Sequence, residues 1–187
     1  MSIQFEKYAL MLFCFGMLTA HPAIAQYSDN PLKGKRWVTV GAGINTADHY
    51  SWQGLLSYSK RTENSLLQTR VAYTQELFFD PLDSCTSRIN RLSEFAILWG
   101  DGWSGRNWYV TGSVGFGFNV RMFCRRTSYE DQYITSLTAG VPVQVELGVN
   151  LGKKSGLGLM GVGNWNFRES YAGALLTYYY RLNKLKN

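Results

Sequence analysis

The 187-residue chain is poor in charge, in proline and in histidine. Charged residues make up 17%, against about 25% in an ordinary soluble domain. Hydrophobic residues make up 45% and aromatics 15%, so the composition excludes a disordered chain, which has far less to bury. Proline occurs four times, and only Pro142 falls inside a segment that reads as regular structure. Beyond the N-terminus no apolar run is long enough for a membrane-spanning helix, which excludes a helical membrane protein. No G-x-S-x-G, Walker A or H-E-x-x-H pattern is present. Of the two histidines, His21 lies in the N-terminal segment and leaves only His49, so a His-rich metal centre is excluded and no cofactor is expected. What remains is a chain of one-domain length that must place its apolar residues in short alternating pieces.

The N-terminus has a separate character. Lys7 precedes the apolar run Tyr8–Ala20, and Ala23-Ile24-Ala25 supplies small residues in an A-x-A arrangement. This is the pattern of a secretory signal peptide, expected to cover residues 1–25. Cys14 goes with it, leaving Cys85 and Cys124 as the only cysteines of the exported chain. Two cysteines in an oxidising compartment suggest a disulfide and do not make a zinc site. The formal charge of +6 is unaffected by the removal, because Glu6 and Lys7 cancel.

The rest of the chain alternates with period 2. Eight strands are predicted: 37–45, 50–59, 67–77, 93–99, 108–120, 141–151, 157–167 and 171–182. Val110, Val114, Phe116 and Phe118 oppose Thr111, Ser113, Gly115 and Gly117. Val143, Val145, Leu147 and Val149 oppose Gln144, Glu146, Gly148 and Asn150. The Gly-rich seventh segment leaves its faces ambiguous. Strands of about ten residues suit a tilted membrane-spanning β-strand. An eight-stranded soluble barrel with the apolar face inward is the other reading.

The polar face decides between them. It carries Gly41, Gly43, Gly115, Gly117, Gly148, Gly158 and Gly173, which weaken a solvated strand but make room in a narrow lumen. Its charges, Arg70, Glu76, Glu94, Glu146 and Arg181, form a mixed set able to pair internally. Ionised groups in a narrow lumen must be paired or hydrated, and a paired set would plug the barrel. The apolar face places Trp52, Tyr58, Tyr73, Trp99, Trp108, Trp165, Tyr178 and Tyr180 near strand ends, as aromatic girdles would be. The expected fold is therefore all-β, an eight-stranded antiparallel up-and-down transmembrane β-barrel. It comprises a short N-terminal periplasmic segment at 26–36, the barrel at 37–182 and a tail at 183–187.

With both termini periplasmic, the periplasmic turns are predicted at 60–64, 101–106 and 152–156. The outer loops are predicted at 46–49, 78–89, 121–132 and 168–169. Cys85 and Cys124 then fall in the two longest loops on one side and can form a bridge. Arg121, Arg125 and Arg126 are candidate anion contacts, fitted to lipopolysaccharide phosphates. The remaining basic residues are scattered over turns, which argues against nucleic acid.

The terminal hairpins, from Gly140-Val141-Pro142-Val143 through Leu151-Gly152-Lys153-Lys154-Ser155-Gly156-Leu157-Gly158 to Tyr171-Ala172-Gly173-Ala174-Leu175-Leu176, carry a resemblance. They resemble the small eight-stranded outer-membrane barrels of Gram-negative bacteria, the OmpA/OmpX type. More loosely they are similar to uncharacterised outer-membrane-type barrels of the Bacteroidetes. The resemblance implies a monomer in the outer membrane, in contact with membrane lipid and the barrel-assembly machinery. Its implied role is structural or adhesive, through the extracellular loops. Such barrels usually end on an aromatic residue, whereas here Tyr180 and Leu182 are followed by Asn183-Lys184-Leu185-Lys186-Asn187.

The alternative is a lipid A-modifying enzyme. His49-Tyr50-Ser51 faintly resembles the His-x-Ser of the lipid A deacylase family, although that motif belongs on a later strand. The placement of His49 and Asp83-Ser84 faintly resembles the loop arrangement of the lipid A palmitoyltransferase. His49, Ser51, Asp83 and Ser84 are thus the candidate catalytic residues. A soluble, exported ligand-binding barrel is the second alternative.

Overall fold

The computed structural model describes residues 35–47, 51–62, 65–76, 91–105, 107–126, 131–168 and 170–182, with backbone alone at 124–126 and 131–133. The expected signal peptide, most of the 26–36 segment, His49, Asp83, Ser84, Cys85 and the tail 183–187 lie outside the described residues. Eight strands run in order: β1 Arg36–Asn45, β2 Ser51–Arg61, β3 Leu66–Glu76, β4 Arg91–Ser104, β5 Trp108–Arg126, β6 Asp131–Asn150, β7 Ser155–Trp165 and β8 Tyr171–Leu182. Each pairs antiparallel with the next, and β8 pairs antiparallel with β1, closing the barrel.

The ladder registers fix the barrel's shape. Arg36 pairs with Lys60, Lys60 with Leu67, Leu67 with Trp99, Trp99 with Val114, Val114 with Val143, Val143 with Gly163 and Gly163 with Ala172. Ala172 then meets Thr46, whose amide donates to its carbonyl at 2.8 Å. One circuit therefore returns to β1 ten residues further along. With a rise of about 3.3 Å and a strand spacing of about 4.8 Å, that stagger sets a tilt of about 40° and a backbone radius of about 8 Å. A lumen of that width is filled by side chains.

Alternation divides the strands cleanly. Gln53, Gln68, Arg70, Glu94, Gln144 and Glu146 point inward and are at most 2% exposed. Ile44, Leu56, Phe95, Leu147, Leu159 and Leu176 point outward and are more than half exposed. The apolar face is therefore outside, the reverse of a soluble barrel and the arrangement of a membrane one. The ambiguous β7 resolves as Leu157, Leu159 and Trp165 outward against Met160, Val162 and Asn164 inward.

Several boundaries differ from the sequence reading, among them β7, which runs Ser155–Trp165 where 157–167 was expected. The loop expected at 121–132 is largely strand, because β5 and β6 stay paired as far as Arg126 and Asp131. The turn expected at 101–106 is mostly strand as well. β4 continues to Ser104 and pairs Gly100, Asp101 and Gly102 with Ser113, Gly112 and Thr111. Asp-Gly is a turn signal in isolation, yet here Gly100 lets β4 lie close to β5, since a Cβ at that position would strike the Gly112 carbonyl. β4 also starts earlier, at Arg91, two residues before the expected position.

Candidate functional site

At the centre of the lumen β3 and β4 place Arg70 and Glu94 on diagonal inward positions. Arg70 Nε and Nη2 both donate to Glu94 Oε1, at 2.8 and 2.5 Å. The other carboxylate oxygen, Oε2, accepts from Tyr171 Oη at 2.6 Å and from Asn164 Nδ2 at 2.5 Å. Arg70 Nη1 reaches across to Gln144 Oε1 and the Val143 carbonyl. Both charged side chains are at most 1% exposed. A buried ion pair is tolerable only when its remaining donors and acceptors are also met. Here strands β3, β4, β6, β7 and β8 all contribute, so the cluster braces the barrel across its bore.

The other interior charges do not join this pair. Glu146 Oε1 accepts from Tyr109 Oη at 2.7 Å and from Thr177 Oγ1 at 3.0 Å. Arg181 lies nearer the end where the chain begins and ends, donating to Asn150 Oδ1 at 2.8 Å and to the Lys153 carbonyl. Glu76, at the opposite end of β3, is only partly buried. Of the predicted residues, Arg70 and Glu94 thus form an ion pair, while Glu146 and Arg181 make polar contacts of their own. A pair the sequence reading did not include, Arg61 with Asp101, lies 2.6 Å apart at the terminal end.

The interior is also less uniformly polar than alternation implied. Leu55, Leu92, Met160, Val162, Tyr171 and Leu175 form one buried apolar cluster, and Trp37, Leu66, Tyr109 and Tyr179 form another. Tyr109 and Tyr179 meet edge to face with centroids 5.0 Å apart. Glycines make room for them: a Cβ at Gly148 would enter the Tyr109 ring and one at Gly156 the Tyr179 ring. Tyr109, Gly148 and Tyr179 sit on inward positions that period 2 already marked, whereas Gly156 fell in the turn expected at 152–156. Their meeting depends on the stagger.

Outside, two aromatic belts flank the apolar band. Trp52, Tyr73 and Trp165 stand toward the loop end, with Trp52 and Tyr73 in contact at 5.5 Å. Tyr58, Trp99, Trp108, Tyr178 and Tyr180 stand toward the terminal end. Trp103, hidden in the expected turn, joins them by an edge contact with Trp108 at 5.3 Å. At about 40° of tilt, strands of ten to twelve residues span about 25–30 Å, enough for the apolar band of a membrane barrel.

At the loop end, β5 and β6 extend beyond the described residues of β4 and beyond the paired part of β7. The last β4 residue paired to β5 is Arg91, opposite Met122, and the first β6 residue paired to β7 is Val141. The hairpin beyond them rises roughly 15 Å above the adjacent strand ends. Arg121 stands just below it, opposite Leu92 of β4 and partly buried on the inward side, its guanidinium 5.5 Å from the Phe123 ring. Arg125 and Arg126 belong to β5, and their side chains, like that of Cys124, lie outside the described residues. Of the candidate catalytic residues only Ser51 is described. It is 1% exposed, on the inward face, and its hydroxyl donates to the Ala47 carbonyl at 2.6 Å.

A closed eight-stranded antiparallel barrel with an apolar exterior and a braced, side-chain-filled bore defines the fold of the outer-membrane β-barrels. Solved structures agree. The chain is similar to Ail, the attachment invasion locus protein of Yersinia pestis, with a TM-score of 0.57 and 14% identity over 80% of this chain and 99% of that one. It is similar to Neisserial surface protein A, with a TM-score of 0.57 and 7% identity over 79% and 96%. It also matches the N-terminal β-barrel domain of Pseudomonas aeruginosa OprF, with a TM-score of 0.52 and 9% identity over 80% and 98%. At these identities the likeness is one of fold. No family model and no curated protein sequence matches the chain.

Proposed function

We propose that this protein resides in the outer membrane, with its termini in the periplasm, and acts as a closed anchor for a surface hairpin that engages polyanions. The observation that carries this reading is the β5–β6 extension, the one strongly raised pair of strands among the described residues. It carries Arg125 and Arg126, with Arg121 at its base, and guanidinium groups suit phosphate or sulfate. Lipopolysaccharide phosphates and sulfated glycans share that chemistry, and Ail has been solved with the heparin analogue sucrose octasulfate. The filled bore argues for an anchor over a pore. The narrower likeness to Bacteroidetes barrels rests on the terminal-hairpin residues alone.

Two measurements test this reading. Cell fractionation with heat-modifiable gel mobility should place the protein in the outer membrane, and recovery from the soluble periplasmic fraction would refute it. Heparin-affinity retention of the inserted protein should fall about tenfold when Arg121, Arg125 and Arg126 are all changed to Gln. Unchanged retention would remove the polyanion role while leaving the membrane placement standing.

A further inference from the structure

The first rung of the β1–β2 ladder sets two cations opposite each other. Arg36 and Lys60 are direct Cα partners, and both are exposed. Like charges at directly opposed positions destabilise a sheet, and the flanking partners on this rung are apolar. Leu182 of β8 lies beside Arg36 and Leu67 of β3 beside Lys60. No acidic side chain among the described residues pairs with either cation. A local rule is broken here with no compensation among the described residues, which points to a function outside the fold.

The same two outward columns continue into an apolar groove. Val38 follows Arg36 and Tyr58 precedes Lys60, and these two residues are themselves partners. They border a depression of about 490 Å³ whose lining includes Thr69, Trp99, Phe95 and Phe116. Thr69 pairs with Tyr58 on one side and Ile97 on the other. A short side chain thus sits among large ones in the apolar band. Apolar groove and paired cations are continuous, with the cations at the terminal edge.

We infer that this surface binds one anionic phospholipid from the leaflet on the side of the chain termini, an inference that rests on the proposed membrane placement. The headgroup phosphate bridges Arg36 and Lys60, relieving their repulsion, with the guanidinium fork able to hold two phosphate oxygens. An acyl chain fills the groove over Thr69. Tyr58 stands between the two, at the depth where an amphipathic ring is favoured. The two ends of the ligand match the two parts of the surface. Lys153 and Lys154 are also exposed at this end of the barrel but do not border the groove.

Native mass spectrometry tests the assignment on protein released from vesicles of equal phosphatidylcholine and phosphatidylglycerol. One retained phosphatidylglycerol is expected. The double variant R36Q/K60Q should lower its retention about tenfold, Thr69→Phe should lower it by filling the groove, and K153Q/K154Q should leave it unchanged. Equal loss in both cation-pair variants would reduce the effect to general surface charge and overturn the site. A protein dimer in place of the retained lipid would also overturn it. Insertion is read separately, from heat-modifiable mobility in phosphatidylcholine alone, and the same reading verifies that each variant folds. Failure of the wild type to insert would overturn placement and site together. Insertion without phosphatidylglycerol preference would overturn the site alone.

Discussion

Tyr171 and Glu94 are 77 residues apart in sequence, yet the phenol of one donates to the carboxylate of the other at 2.6 Å inside the bore. The bond joins β8 to β4 across the lumen, on the carboxylate oxygen that Arg70 does not use. The ion pair and its neutral donors therefore act as one brace.

Removing half of the brace should be worse than removing both charges. Arg70→Leu leaves Glu94 buried without its cation, and a loss of about 3–5 kcal/mol is expected. The double variant R70L/E94L leaves no orphaned charge and should recover most of that loss. Urea unfolding in detergent micelles measures both. Additive losses in the double variant would show that the two residues are not coupled.

Outward positions should reject charge. Leu176 is 74% exposed and would carry Arg with little consequence if water surrounded the barrel. In the proposed lipid setting, Leu176→Arg should lower stability by about 2–4 kcal/mol. Refolding into vesicles reads the difference, and a neutral result would favour the soluble alternative.

Gly148 should tolerate no side chain while Tyr109 faces it. Gly148→Val pushes into that ring and is expected to lower stability by about 1–3 kcal/mol through overpacking. Shortening the ring in the same chain, by Tyr109→Ala, should return part of the loss. Temperature-dependent gel mobility measures the two variants side by side.

Cys85, in the segment before β4, and Cys124, which falls within β5 and not in a loop, are expected to form a bridge. The oxidised protein should migrate faster than the reduced one on a denaturing gel. Reduction should lower stability by about 2–4 kcal/mol. Full thiol labelling without reductant would refute the bridge.

The barrel was legible in the sequence where one face is outward and apolar and the other lines a packed bore. Val110, Val114 and Phe116 against Thr111 and Ser113 assign their own sides, since a one-residue slip would reverse every side chain. The diagonal neighbours Arg70 and Glu94 could be anticipated because they lie on adjacent strands. Tyr171 and Asn164 could not be matched to Glu94, because contacts across the bore depend on a stagger that no single strand records. Trp103 was missed because Asp101-Gly102 reads locally as a turn. The hairpin above Arg121 was missed for a related reason: beyond the apolar band, alternation no longer distinguishes paired strand from loop.

The ten-residue stagger also bears on how the barrel forms. Its seam joins Thr46 to Ala172, 126 positions apart in sequence, and the ring cannot close until the last strand arrives. A slip of two residues at this seam would keep every side chain on its proper side. It would still change the girth of the bore, parting Tyr171 from Glu94 and Tyr109 from its glycine slot. Side-chain orientation alone does not protect against that error. The cross-bore contacts do, making the interior a gauge that accepts one circumference and rejects its neighbours.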